Sequence, residues 1–124
     1  MPLIRLRGLS FEKAYASRPD AGGAYPYTQP VRIIGYRQLD AFSRKHRDAA
    51  APLARWCREV AAVEWSGPQA IREMFAAASF RPSNRVIFNL KGNAYRLVVR
   101  VNFPLQQVIV EWIGTHAEYN RLDL

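Results

Sequence analysis

The chain has 124 residues, 49% of them hydrophobic, which fits one small globular domain and leaves little room for a separate cofactor domain. A formal net charge of +8 favours an anionic partner, with nucleic acid or an acidic protein foremost. The single cysteine, Cys57, excludes an internal disulfide and a cysteine-built zinc site, and no apolar run approaches the roughly 18 residues of a membrane span.

Fifteen of the 18 cations are arginine. A guanidinium forks onto phosphate and stacks on bases in ways an ammonium does not, although high genomic GC content gives the same bias. Cys57 lies in the apolar run Leu53-Ala54-Arg55-Trp56-Cys57 and reads as a buried structural thiol, compatible with a reducing cytoplasm. No secretory signal is expected at the N-terminus, which lacks an apolar core.

Residues 1–30 are punctuated by Pro19, Gly22, Gly23, Pro26 and Pro30 and sustain neither strand nor helix periodicity. They are expected to form a flexible extension, with at most a turn of helix over 9–16. Val31-Arg32-Ile33-Ile34 is a short β-type run ended by Gly35. Tyr36, Leu39, Phe42 and His46 then recur three or four apart, which predicts a helix with one apolar face. Past Asp48, Pro52 suits the first turn of a second helix, whose stripe is Leu53, Trp56, Cys57 and Val60. Arg44, Lys45, Arg47, Arg55 and Arg58 fall off both stripes and form either a basic surface or a merely solvated one. Trp65-Ser66-Gly67-Pro68 predicts a turn with Ser66 as cap, then a third helix with Ile71, Met74, Phe75 and Ala78 on one side. Residues 80–84 are expected to be a loop, since Pro82 stops the helix.

The β region is the most informative. Residues 85–91 and 94–103 read as strands joined by Gly92-Asn93, a two-residue turn of the kind that needs positive φ. Pairing across that turn sets Leu90 opposite Tyr95, Asn89 opposite Arg96, Phe88 opposite Leu97, Ile87 opposite Val98, Val86 opposite Val99 and Arg85 opposite Arg100. Side chains alternate between faces. One face then carries Val86, Phe88, Leu90, Tyr95, Leu97 and Val99. The other carries Arg85, Ile87, Asn89, Lys91, Arg96, Val98 and Arg100. The register comes from the turn alone, yet it sorts the polar residues onto one side, which supports it. Residues 108–113 form the last strand, followed by Gly114, Thr115 and a short tail. The whole predicts an α+β domain: a short N-terminal strand, two to three helices on one face, then a three-stranded antiparallel meander.

Two features carry chemistry. The polar hairpin face offers Arg85, Lys91, Arg96 and Arg100 around Asn89; facing arginines repel unless an anion lies between them, so the pair Arg85 and Arg100 suggests phosphate. The alternative is a sheet kept soluble by charge. Beyond the last strand come His116 and Tyr119, which share a face if the tail turns helically. Imidazole suits proton transfer near neutrality. With guanidinium groups nearby, these residues could cleave RNA, whose 2′-OH is its own nucleophile. Alternatively His116 caps the strand and Tyr119 belongs to the core. The two histidines and one cysteine, with no carboxylate cluster at ligand spacing, make metal ligation a poor fit. A glycine-rich phosphate loop and a Gly-x-Ser-x-Gly elbow are both missing.

Four stretches resemble a known family: Val31-Arg32-Ile33-Ile34, Leu53-x-x-Trp56, the hairpin from Asn84-Arg85-Val86 through Lys91-Gly92-Asn93-x-Tyr95-Arg96-Leu97-Val98, and Ile113-Gly114-Thr115-His116-Ala117-Glu118-Tyr119. Together they are similar to the HigB toxins of bacterial type II toxin–antitoxin systems, over residues 31–124. The resemblance implies a RelE-like fold and an mRNA interferase acting in the cytoplasm, typically on the translating ribosome, without metal or other cofactor. It also implies a HigA-like antitoxin with a helix-turn-helix DNA-binding domain as partner. It places Arg96 and Lys91 on the phosphate, and His116 and Tyr119 in proton transfer or base stacking. Arg85, Asn89, Arg100, Lys45 and Arg47 are expected to bind RNA. Asn120 stands where the family often has Asp, and Glu111 where a basic residue is common, which weakens the basic face. Residues 1–30 have no counterpart, so translation starting at Val31 is one expectation. The competing readings are a non-catalytic RNA- or ribosome-binding module and a degenerate toxin that only binds its antitoxin.

Overall fold

The computed structural model describes residues 30–122. The expected N-terminal extension, but for Pro30, lies outside the described residues, as do residues 123–124. In chain order the elements are β1 (Arg32–Ile34), α1 (Tyr36–Lys45), a 3₁₀ turn (Arg47–Ala49), α2 (Ala50–Val60), α3 (Pro68–Met74), β2 (Ser79–Arg81), β3 (Arg85–Leu90), β4 (Tyr95–Asn102), β5 (Gln107–Thr115) and α4 (His116–Tyr119). The strands form one sheet in the order β1-β5-β4-β3-β2, with β1 parallel to β5 and the other pairs antiparallel.

The helices form where apolar residues recur at helical spacing. Leu39 and Phe42 of α1 and Leu53, Trp56, Cys57 and Val60 of α2 are buried against one face of the sheet. That face contributes Val86, Phe88, Leu90, Tyr95, Leu97, Val99, Val108 and Val110. The apolar hairpin face read from the sequence is therefore the core face. Burial pushes the Cys57 thiol well above its ordinary range, which suits a structural group. Gly35 turns β1 into α1 with φ +114, and a Cβ there would come within 2.7 Å of Val110 Cβ. The turn needs both the left-handed backbone and the missing side chain.

Two helix expectations are corrected. Ser66 makes no cap: Gly67 is the capping residue and Pro68 opens α3, its fixed φ already helical. The helix also ends at Met74, because Phe75 leaves helical geometry at φ −132, ψ 84. Phe75 and Ala78 still pack on the core from outside the helix, while Met74 is exposed.

The expected loop over 80–84 is shorter than read, since Ser79–Arg81 pairs with β3 as a further strand. The antiparallel run thus holds four strands, β2 to β5. The β3–β4 register matches the expectation from Arg85↔Arg100 to Leu90↔Tyr95. The turn itself differs by one residue: Lys91 and Gly92 carry the positive φ, not Gly92 and Asn93, and Ala94 N–H donates to the Lys91 carbonyl at 3.1 Å. Between β4 and β5 the pairing steps from Val98↔Trp112 to Val99↔Val110, leaving Glu111 as the extra residue of a β-bulge.

Trp65 is buried beside α3, and the carboxamide of buried Gln106 pins its backbone. Trp65 N–H donates to Gln106 Oε1 (2.8 Å), and Gln106 Nε2 donates to the Trp65 carbonyl (2.6 Å) and the Phe103 carbonyl (2.8 Å). These bonds tie the α2–α3 connection to the β4–β5 turn. Among the described residues no helix is long and apolar enough to cross a membrane.

Candidate functional site

The outer face of the sheet is not uniformly basic. Ile87 and Val98, paired across β3 and β4, are buried there, and Trp112 lies opposite Val98 in the register. Arg85, Arg96 and Arg100 surround this apolar centre, half-buried. Arginine stems pack on such surface while the charged heads stay wet.

Three of the four hairpin cations are neutralised. Glu111, thrust out by the bulge, accepts from Arg85 Nε at 2.8 Å through one carboxylate oxygen and from Arg100 Nε at 2.8 Å through the other. The anion expected between the two arginines is thus a side chain of the protein itself. Burial pushes the Glu111 carboxyl up, but the two guanidinium groups together outweigh it and hold the pKa below the ordinary glutamate value. Lys91 pairs with Asp48 of the 3₁₀ turn at 2.9 Å. Asp48 also accepts from the Tyr95 hydroxyl, and these bonds lower its pKa, the tyrosine first and the lysine second. Among the described residues Arg96 alone of the four forms no ion pair.

Arg96 meets the tail. Thr115 ends β5 and caps α4: its hydroxyl accepts from Glu118 N–H (3.1 Å), and Glu118 Oε1 accepts from Thr115 N–H (2.9 Å). This reciprocal box turns the chain helically straight off the strand. The Thr115 backbone N–H lowers the Glu118 pKa most, with the charges of His46 and Lys45 adding to it. The box sets His116 and Tyr119 one turn apart. His116 Nδ1 lies 3.1 Å from the Asn93 carbonyl. A carbonyl only accepts, so Nδ1 carries a proton. Arg96 Nη1 donates to the same carbonyl at 3.4 Å, and its guanidinium lies 5.6 Å from the centre of the Tyr119 ring. Tyr119 in turn lies 6.2 Å from Trp112.

Gly114 makes room for this group. A Cβ there would come within 2.5 Å of the Trp112 ring and 2.7 Å of Glu118 Oε1. Trp112 therefore lies across the Gly114 backbone, between the sheet and α4.

The structure brings Arg96, His116 and Tyr119 together and holds Lys91 on Asp48. Arg85 and Arg100 stand further along the outer face, tied to Glu111. Asn89 is exposed and borders a cleft of about 380 Å³ beside Pro52, Arg55 and Trp56 of α2. Lys45 is exposed and close enough to Glu118 to lower its pKa, and Arg47 is exposed on the 3₁₀ turn. Sequence reasoning missed Trp112, Asp48 and the box of Thr115 and Glu118. The box was visible as Thr-x-x-Glu following a strand; the other two depend on contacts between distant segments. Among the described residues no group of three or more His, Cys, Asp or Glu could hold a metal ion.

Residues 49–122 match the family described as HigB toxin, the RelE-like toxic component of a toxin–antitoxin system. The chain is also 27% identical over 94 residues to a protein of Escherichia coli O6:H1 named mRNA interferase HigB, covering 74% of this chain and 91% of that protein.

Proposed function

The chain belongs to the HigB toxin family, and from that premise we propose that it stops translation by cutting messenger RNA, on the ribosome and with protein groups alone. The observation that carries this reading is the convergence of Arg96, His116 and Tyr119, with Arg96 the one hairpin cation left without a carboxylate among the described residues. The name of the Escherichia coli relative supports the same chemistry.

In the proposed reaction the RNA 2′-oxygen attacks the adjacent phosphorus. His116 Nε2 takes the 2′-OH proton, the bond to the 5′-oxygen breaks, and that oxygen leaves with a proton from the Tyr119 hydroxyl. Arg96 stands against the charge that gathers on the non-bridging oxygens, where a fixed cation contributes most. Tyr119, between Arg96 and Trp112, presents a ring for a flanking base and a hydroxyl for proton transfer. The products are a 2′,3′-cyclic phosphate and a 5′-hydroxyl. Lys91, through its tie to Asp48, holds the Asn93 turn that both Arg96 and His116 grip.

The partner in this reading is a HigA-like helix-turn-helix antitoxin. The site of action is cytoplasmic, and the toxin domain spans residues 31–124. Mapping new 5′-hydroxyl ends in messages after brief induction tests it. Wild type should create such ends inside translated regions, and Arg96→Ala should not. Translation arrest without new ends would instead establish a non-catalytic ribosome- or RNA-binding module.

A further inference from the structure

The outer face holds a concavity at the far end of β4. Ser83, Asn84, Arg100, Asn102, Pro104 and Ile109 line a cleft of about 410 Å³, within the ~300–1,000 Å³ typical of small-ligand sites. Arg96 and Arg100 are four residues apart on one strand, hence on the same face and about 13 Å apart at ~3.3 Å per residue. The cleft therefore adjoins the site but does not belong to it.

Its walls are fixed. Ser83 and Asn84 take successive positive φ values of 66 and 59, and Val101 N–H donates to the Asn84 carbonyl at 2.9 Å. Arg100 is held by Glu111 through Nε and by the Ser83 carbonyl through Nη1 at 3.5 Å. Asn102 Oδ1 accepts from Leu105 N–H at 3.1 Å, which leaves its NH₂ unengaged. Among the described residues the Asn84 carboxamide makes no hydrogen bond. Pro104 and Ile109 supply apolar surface.

We infer that this cleft is a subsite for one unpaired nucleobase of the RNA strand, at a nucleotide outside the two that share the scissile phosphate. The inference rests on the RNA-cleavage reading above. A phosphate is the poorer match, because the one cation present is already engaged on two sides. A base is the better one. Its flat face meets Pro104 and Ile109, and its edge meets a carboxamide that offers a donor beside an acceptor. Unpaired bases are read by this combination of stacking and edge hydrogen bonds. The subsite makes the protein selective for sequence at a position its cleaving groups do not touch.

Binding of short single-stranded 2′-O-methyl oligonucleotides of A, C or U to the full chain tests it, since that substitution blocks the attacking oxygen. Wild type should favour one base by about fivefold, the value of roughly one net hydrogen bond. Asn84→Gly keeps the positive φ, and Asn102→Asp keeps the acceptor for Leu105. Each should bring the affinity ratio towards one, with melting unchanged. Arg96→Ala should weaken all three alike and leave the ratio intact. Equal affinities in wild type, or an unaltered ratio in both asparagine variants, overturn the subsite. An altered ratio without new 5′ ends in cells would sink the cleavage reading and leave the subsite standing; new ends with an unaltered ratio would do the reverse.

Discussion

The guanidinium of Arg96 lies 5.6 Å from the centre of the Tyr119 ring, joining the hairpin to the tail across the outer face of the sheet. A planar cation over a ring is a geometry that an ammonium does not reproduce. Arg96→Lys keeps the charge and loses the plane and the fork. Cleavage should fall by at least about tenfold while the melting temperature stays put. A wild-type rate in this variant would mean that Arg96 acts through charge alone.

Gly114→Ala puts a carbon where the Trp112 ring lies. Overpacking of this kind costs about 1–3 kcal/mol. Because Trp112 neighbours Tyr119, the near-ultraviolet circular dichroism should change along with activity. Combining it with Trp112→Ala should recover part of the stability, which a double-mutant cycle in urea would measure. Strictly additive losses would show that the clash with the ring is not the cause.

Glu111→Gln tests the arginine clamp. Burial opposes ionisation of Glu111, yet Arg85 and Arg100 hold its folded pKa below the unfolded value. A depressed carboxylate contributes stability above the unfolded pKa and loses it as pH falls through the folded one. The urea midpoint of the wild type should therefore drop below about pH 4.5, the ordinary glutamate value. In Glu111→Gln that part of the acid sensitivity should vanish. The same variant frees two guanidinium groups, so its affinity for single-stranded RNA should rise and fall off more steeply with salt.

Gln106→Ala should be the most damaging change away from the site. It removes three hydrogen bonds and strands the buried Trp65 backbone. The expected loss is about 2–4 kcal/mol, read as a lower thermal midpoint. A shift of only a degree or two would show that water replaces the carboxamide.

The hairpin was legible because its turn fixes the register and its two faces differ in polarity. The helix stripes of α1 and α2 were legible for the same reason, since Leu39, Phe42, Leu53 and Trp56 repeat at the helical period. What failed was local and geometric. The left-handed positions fell on Lys91 and Gly92, and Ser66 lost the cap to Gly67, because neighbouring small and polar residues are near-equivalent in those roles. The site was half legible. His116 and Tyr119 stood out by residue type, and the resemblance put forward Arg96 and Lys91 alike. Which cation stays unpaired was not readable, because Glu111 reaches Arg85 and Arg100 only through a bulge, and Asp48 reaches Lys91 from a segment 43 positions away.

The parallel pairing of β1 with β5 joins the two ends of the described chain. Strand β5 carries α4 and the groups that follow it, and β1 covers the edge β5 would otherwise expose. During synthesis residues 32–34 emerge early and wait for residues 107–109 before they can pair. Contacts so distant in sequence form late in folding. A partial chain that lacks β5 therefore lacks both the strand that pairs with β1 and the tail that carries His116 and Tyr119.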